Sequence, residues 1–225
     1  MIFLPLLTAF FFSLLIVISL IFSVRHVELI GKDSINGTTI VKNKFIFFLS
    51  PDEIATRLMK LNADIESVSV AKKMPDTLVI SVQKERVLGA LAVANGYYYL
   101  SQNGKVIQKI QQLDTNSNYP SVSYYQKFDY DAYLPGSIIE QKDLQYGLYF
   151  LSSCSDFGAH IVKLDITNAD MLVLKTDDDK LFIFTTLQQK EEQFEEFKII
   201  YKKFTIEKTG FKAVDFRFDK PIVTL

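Results

Sequence analysis

The first apolar pattern in the chain is an uninterrupted run from Ile2 to Phe22, in which no charged side chain occurs. At about 1.5 Å rise per residue, a helix of this length is roughly 30 Å long, which matches the hydrocarbon core of a bilayer. A helix also satisfies its own backbone polar groups in lipid. The run therefore predicts one transmembrane helix over residues 1–23, ahead of a longer part that mixes polar and apolar positions.

A cleavable signal peptide is the alternative interpretation of this run. Only Met1 precedes it, without Lys or Arg, and its exit (residues 19–23) reads SLIFS, with no Ala-x-Ala motif. A signal peptide has a basic start and a small-residue cleavage site, so an uncleaved anchor is favoured. Arg25 and Lys32 follow the run, and the positive-inside rule alone would leave the bulk of the chain in the cytoplasm.

A strand, a helix and two further strands are predicted after the anchor. Val27 and Leu29 alternate with polar neighbours, which is typical of a half-buried strand, and Gly31 ends it. Ser50, Pro51 and Glu53 then match a helix start with a capping box. The predicted apolar stripe of this helix consists of Ile54, Leu58 and Leu61. Alternating apolar positions predict the last two strands. The positions are Val68 and Val70 in the first of these strands and Leu78, Ile80 and Val82 in the second.

The order strand, helix, strand, turn, strand predicts a small sheet with the helix on one face. The remainder of the chain predicts hairpins at Asn95-Gly96, Asn103-Gly104 and 177–179. It also predicts helices over 138–152 and 187–204. The second helix is expected to be capped by Thr186 with Gln189, and its expected apolar face consists of Leu187, Phe194, Phe197, Ile200, Tyr201 and Phe204. A final strand is predicted over 212–225.

Composition argues against most catalytic chemistry. The net charge is −1, so no general attraction to nucleic acid is expected. Cys154 and two histidines, His26 and His160, carry no nucleophile or zinc motif around them. Three aspartates at 177–179 could attract calcium, but the EF-hand Gly and Glu positions hold Phe182 and Gln188. We therefore predict no enzyme, no cofactor, no metal and no small-molecule substrate.

Taken in order, the segments VRHVELIG, LSPDEIATRLMKL and IESVSVAKKMPDTLVISVQKER resemble the POTRA domain of the bacterial division proteins FtsQ and DivIB. The positions that match the family pattern are Val27, Leu29, Gly31, Glu53, Ile54, Val68, Val70, Pro75, Leu78, Ile80, Val82, Glu85 and Arg86. The C-terminal segment VDFRFDKPIV (214–223) also resembles the end of that family. Leu88 stands where the family usually has proline, and relatives often carry a longer segment before the membrane helix.

The resemblance implies an α+β chain with three parts. These are a transmembrane helix (1–23), a small β-α-β-β POTRA domain (24–86) and a mixed β-sheet domain with amphipathic helices (87–225). It further implies a single-pass protein with a cytoplasmic N-terminus and its bulk outside the membrane, enriched at the division septum. The implied function is a divisome scaffold that regulates septal peptidoglycan synthesis. The implied partners are FtsB/DivIC-like and FtsL-like proteins.

We expect the partner to bind at the C-terminal strand. An edge strand leaves backbone N–H and C=O groups unpaired, and a partner strand can add to them. Strand alternation would put Phe216 and Phe218 on one face, with Asp215, Arg217 and Asp219 on the other. Ile222 and Val223 complete the candidate surface. An internal ion pair of Arg217 within an ordinary sheet is the alternative.

Two other functions remain open from the residues. POTRA domains also serve as polypeptide-binding modules in protein export and envelope assembly, where repeated copies precede a barrel. An extracytoplasmic wall-processing enzyme would need a metal or nucleophile constellation, and the count of Cys and His argues against it.

Overall fold

The computed structural model describes residues 11, 13–14, 16–113, 118–207 and 210–225. The chain divides into two compact units, Met1–Glu85 and Arg86–Leu225. Of the predicted transmembrane helix over 1–23, residues 1–10, 12 and 15 lie outside the described residues. Residues 16–21 are helical. Among the described residues, no helix combines the length and the apolar character needed to cross a membrane.

After the apolar run, the described part of the first unit contains a three-stranded sheet and an α-helix. Its elements are β1 (His26–Ile30), α1 (Pro51–Leu61), β2 (Ile65–Lys73) and β3 (Thr77–Lys84). The strand order is β1-β3-β2, with β1 parallel and β2 antiparallel to β3. Two short 3-10 turns, Thr38–Ile40 and Ile46–Phe48, connect β1 to α1. The predicted β-α-β-β order is confirmed.

The start of α1 follows from local chemistry. The Ser50 side chain accepts a hydrogen bond from the Glu53 backbone N–H at 3.4 Å, and Pro51 occupies the first turn. An N-cap oxygen satisfies one of the backbone donors that a helix start leaves unpaired. Ile54 and Leu58 are buried as predicted, whereas Leu61 is 48% exposed. The buried part of the apolar stripe thus ends at Leu58, one turn before the predicted Leu61, because Leu61 is the last residue of α1.

The second unit is built on one nine-stranded sheet. Its order is β12-β11-β10-β9-β8-β7-β4-β5-β6. These strands are β4 (Gly89–Val93), β5 (Gly96–Leu100), β6 (Val106–Ile110), β7 (Ser121–Tyr124), β8 (Ile161–Asn168), β9 (Met171–Thr176), β10 (Leu181–Thr185), β11 (Ala213–Asp215) and β12 (Ile222–Thr224). The three predicted hairpin turns join β4 to β5, β5 to β6, and β9 to β10, as expected. The mixed α+β fold with a large sheet is therefore confirmed.

Two helices pack in the second unit, α2 (Lys142–Asp156) and α3 (Lys190–Glu207). Both start later along the chain than predicted. The Thr186 hydroxyl donates to the Ala169 carbonyl at 2.8 Å instead of capping α3, and Leu187 is 77% exposed. The remaining predicted apolar face does pack on the core, with Phe197 fully buried against Phe182 and Phe184.

Candidate partner-binding surface at the C-terminal edge of the large sheet

The C-terminal residues form one edge of the large sheet. β11 runs parallel to β10, with Val214 opposite Phe182. β12 then runs antiparallel to β11, with Val223 opposite Val214, and is the last strand of the sheet. The chain therefore ends in a strand that has a sheet neighbour on one side only.

The pairing pattern decides which backbone groups of β12 point outward. The Leu181 N–H donates to the Lys212 carbonyl (2.9 Å), and the Phe216 N–H donates to the Ile183 carbonyl (2.8 Å). Because backbone direction alternates along a strand, Val214 and Phe216 thus direct their backbone groups to β10. Lys212 precedes the strand, and its N–H donates to the Thr224 carbonyl of β12 at 2.8 Å.

Residues 213 and 215 consequently pair with Thr224 and Ile222 of β12. By the same alternation, the N–H and C=O of Val223 point away from β11. Val223 therefore presents one donor and one acceptor at the rim of the sheet.

The prediction of one continuous strand through 215–223 is wrong. Residues 216–221 form a bend between two three-residue strands. The Asp215 carboxylate accepts a hydrogen bond from the Arg217 backbone N–H at 3.1 Å, which turns the chain, and Pro221 has no N–H to continue a ladder.

The two phenylalanines accordingly do not share a face. Phe216 is fully buried, and its ring stacks on Phe184 with the centroids 4.9 Å apart. Phe218 is 48% exposed, with the Arg217 guanidinium 5.8 Å from its ring centre. Strand alternation fails here because the chain turns between the two residues.

Arg217 forms the internal ion pair that the sequence left as an alternative. Its Nη2 lies 2.7 Å from Asp215 Oδ2, and its Nε lies 2.9 Å from Oδ1. Partial burial alone would raise the pKa of Asp215, but the hydrogen bonds and charge of Arg217 outweigh it and lower that pKa. The Arg217 Nη1 also contacts the Met171 sulfur at 3.4 Å. Asp215 and Arg217 therefore hold the bend that leads to β12.

Acidic and apolar side chains surround the edge strand. Burial, followed by the charges of Glu192 and Asp219, raises the pKa of Glu196 in α3. Ile222 is 51% exposed and Val223 37% exposed. The candidate surface thus combines backbone groups at the rim of the sheet with exposed apolar side chains.

The residues considered for catalysis form no catalytic arrangement that the structure displays. The Asp177 N–H donates to the His160 carbonyl at 3.1 Å, so these two residues meet through the backbone. Cys154 is fully buried, and burial raises the pKa of its thiol. Asp178 pairs with Lys180 at 2.7 Å, and Asp179 pairs with Lys175 at 2.6 Å, as expected for a hairpin turn. Among the described residues, no three His, Cys, Asp or Glu side chains are grouped so that they could hold a metal ion.

Comparison with known proteins identifies the first unit. The family model of the POTRA domain, FtsQ-type, matches residues 22–86. In this unit the chain is similar to the FtsQ/DivIB cell division proteins.

Curated relatives agree with the POTRA match. "Cell division protein DivIB" of Clostridium botulinum (strain Hall) is 27% identical over 161 residues, which is 69% of this chain and 59% of that protein. DivIB of the Loch Maree strain is 26% identical over 61% of this chain and 52% of its own length. DivIB of Clostridium tetani is 25% identical over 90% of this chain and 79% of that protein. The chain thus spans between half and four fifths of the length of these relatives.

The POTRA motif residues have structural roles. A Cβ at Gly31 would lie 2.1 Å from the Val82 carbonyl oxygen, and its φ of +91° favours glycine. Val27 is partly buried against the core of the first unit, and Pro75 lies in the turn between β2 and β3. The Glu85 N–H donates to the Asp64 carbonyl at 2.9 Å, and Arg86 Nη1 lies 3.3 Å from Asp156 Oδ1. These positions stabilise the fold rather than form a site.

Proposed function

We propose that this FtsQ/DivIB relative is a non-enzymatic scaffold of the bacterial divisome, anchored in the membrane. It links division proteins through contacts outside the cytoplasmic membrane and so regulates septal peptidoglycan synthesis. The observation that carries this proposal is the outward-directed backbone of Val223 on an edge strand with exposed apolar side chains. The FtsQ-type match and the DivIB relatives favour it over a polypeptide-binding module in export.

The proposed mechanism is strand addition at β12. A partner strand would accept a hydrogen bond from the Val223 N–H and donate one to its carbonyl, which extends the sheet by one strand. The side chains of Ile222, Val223 and Phe218 would then determine which partner fits. Asp219 and the acidic start of α3 favour a partner segment that carries basic residues. The proposed partners are FtsB/DivIC-like and FtsL-like proteins.

The anchor and the topology belong to the same proposal. We take residues 1–23 as the transmembrane helix, 24–86 as the POTRA domain and 87–225 as the β domain. Several described residues of the apolar run are exposed, with Phe11 at 61% and Leu20 at 56%, as a lipid-facing helix requires, whereas Ile18 and Phe22 are partly buried. The proposed N-terminus is cytoplasmic, and the proposed location is the septum.

The decisive experiment replaces only the outward N–H. Val223→Pro removes this donor and leaves the pairing with β11 through residues 222 and 224 in place, since proline is tolerated on an edge strand. The full-length chain and the variant are purified from native membranes, and the amounts of co-purifying FtsB/DivIC-like and FtsL-like proteins are compared. Strand addition predicts that Val223→Pro loses these partners.

Val223→Thr is the matched control, because it changes the side chain and keeps the backbone donor. It should retain partner binding. Equal recovery of the partners by wild type and Val223→Pro, with both chains folded by circular dichroism, would reject β12 as the binding edge. A fluorescent fusion of the full chain tests the location, since an even envelope stain would argue against a septal role.

A further inference from the structure

Four phenylalanine rings form a cluster at one end of the first unit. Phe22, at the end of the apolar run, lies 5.2 Å from Phe47 and 6.5 Å from Phe45 between ring centres. Phe45 lies 5.4 Å from Phe47 and 5.3 Å from Phe48. We call Phe45, Phe47 and Phe48 the aromatic patch.

Two rings of the aromatic patch are exposed to solvent and contribute little to the core of the fold. Phe48 is 88% exposed and Phe47 is 52% exposed, although Ile46, which directly precedes them, is fully buried. A single exposed apolar side chain is ordinary on a protein surface. Two adjacent exposed phenylalanines that continue an apolar run through Phe22 form a surface that water solvates poorly, and such a patch indicates an interaction site.

Backbone hydrogen bonds fix the patch to the exit of the apolar run. The Ile46 N–H donates to the Phe22 carbonyl at 2.8 Å, and the Val24 N–H donates to the Lys44 carbonyl at 2.9 Å. The Asn43 N–H donates in turn to the Val24 carbonyl at 2.9 Å. The patch therefore cannot move independently of the point where the apolar run ends.

Basic residues lie at the same end of the sheet. His26 pairs with Thr77, and Thr77 pairs with Lys73, so the start of β1 and the end of β2 lie on either side of the start of β3. Lys73 forms an ion pair with Glu28 at 3.0 Å. The Lys72 ammonium donates to the Phe47 carbonyl at 3.3 Å, directly behind the patch. Arg25 and Lys44 flank the exit of the run in sequence. Apolar rings with lysine and arginine around them are the side chains that interfacial membrane segments present to lipid.

We propose that the aromatic patch is a second membrane contact, which inserts Phe47 and Phe48 into the headgroup region of the bilayer. This inference rests on the proposed transmembrane anchor. The bilayer is the occupant because the patch is continuous with Phe22, where the proposed lipid-embedded run ends. A single helix leaves the attached domain free to tilt, whereas two contacts restrict its orientation. The patch would thus set how the POTRA domain stands on the membrane surface.

The test measures the depth of single positions in the full-length chain. The chain is reconstituted in vesicles of phosphatidylcholine with phosphatidylglycerol. Phe48→Cys and Ile30→Cys are each labelled with an environment-sensitive fluorophore, and the buried Cys154 stays unlabelled in the folded chain. Ile30 is the matched control, since it is 55% exposed and lies at the opposite end of β1, about 13 Å from its start.

We expect the label at position 48 to emit at shorter wavelength, to be quenched by headgroup nitroxide lipids and to be protected from iodide in water. The label at position 30 should behave in the opposite way. Equal accessibility of both labels to iodide would overturn the inference. Retention of the chain in the vesicles after an alkaline wash reports the anchor separately. A chain that is retained with position 48 in water overturns the patch alone, and a chain that is washed off overturns the anchor as well.

Discussion

Arg217 folds back on Asp215, two residues earlier, and its guanidinium donates to both carboxylate oxygens at 2.7 to 3.1 Å. The Asp215 side chain is 15% exposed and that of Arg217 36% exposed. The pair closes the bend between β11 and β12, so the chain can return along the sheet as its outermost strand. An ion pair inside the C-terminal segment thus positions the proposed docking edge.

Phe218→Glu is expected to abolish the capture of division partners and to leave the chain folded. Phe218 is half exposed beside the edge strand, so a charge there meets the partner and not the core. Co-purification from membranes measures the loss. Arg217→Glu should also lose the partners, but it places a second carboxylate beside Asp215, so Phe218→Glu is the cleaner variant.

Phe216→Ala provides the contrast within the same segment. Phe216 is fully buried against Phe184, so its truncation should lower the free energy of unfolding by about 3–5 kcal/mol. If Phe218→Glu unfolds the chain to the same extent, or binds its partners normally, the assignment of Phe218 to the binding surface is wrong.

The stability contributed by Asp215 should depend on pH. Arg217 lowers the pKa of Asp215 in the folded chain. A carboxyl group with a depressed pKa contributes stability above its unfolded pKa of about 3.9, and this contribution is lost as the pH falls through the folded pKa. Solvent screens the partly exposed guanidinium, so we expect at most about 1 kcal/mol from the pair.

Thermal unfolding of the wild type and Asp215→Asn at several pH values measures this contribution. The difference in Tm should be largest near neutral pH and should shrink as the pH falls below about 4. The pKa of Asp178 is also lowered, chiefly by its hydrogen bond from Lys180, so the wild type loses some stability in the same range. Asp178→Asn is therefore the matched control, because it measures the pH-dependent stability of a surface ion pair outside the C-terminal edge. A Tm difference for Asp215→Asn that does not change with pH would contradict the role of the ion pair.

The Cys154 thiol should be unreactive towards thiol reagents in the folded chain. The side chain is fully buried in the core of the second unit, and burial raises the pKa of its thiol. The thiolate is the reactive species, so reaction with a disulfide reagent at pH 8 should be slow in buffer and complete in denaturant. Fast reaction of the native chain would show that the core around α2 opens readily.

Gly147 should resist replacement by a large residue. It lies inside α2, where an added Cβ would be 3.0 Å from a Leu164 methyl carbon and 3.1 Å from an Ile166 methyl carbon. Gly147→Leu forces these core side chains apart, and we expect a loss of about 1–3 kcal/mol in urea unfolding. Gly210→Leu is the control, because no heavy atom of the described residues, its chain neighbours apart, lies within 4 Å of its Cβ position. Equal stability of both variants would contradict the close packing of α2 on β8.

Local signals in the sequence predicted the elements well where neighbours along the chain supply the physical cause. The Ser50 cap and Pro51 identified the start of α1 because the hydrogen bond involved spans three residues. The turns at Asn95-Gly96 and Asn103-Gly104 were found for the same reason. The proposed start of α3 was wrong because the Thr186 hydroxyl, which would accept a hydrogen bond from a backbone N–H as a helix cap, donates instead to the distant Ala169 carbonyl.

The C-terminal site shows where local reasoning stops. Alternation along 215–223 predicted one face for Phe216 and Phe218, and that pattern is correct only for an unbroken strand. The side chain of Asp215 bends the chain, and Pro221 cannot extend the ladder, so the faces change. The Asp-x-Arg spacing and Pro221 both indicated a bend in the sequence. Whether this bend separates two strands depends on where β10 ends.

The sequence by itself determined the apolar run, the β-α-β-β order of the POTRA domain and the amphipathic faces, because each depends on residues at most a few positions apart. The tertiary structure alone decided the sheet order, the direction of the Val223 backbone and the exposure of Phe48. These depend on which distant strands pair, and pairing energies come from burial summed over the whole core. Whether a strand lies at the edge depends on the strand order of the whole sheet, so the sequence of that strand alone cannot determine it.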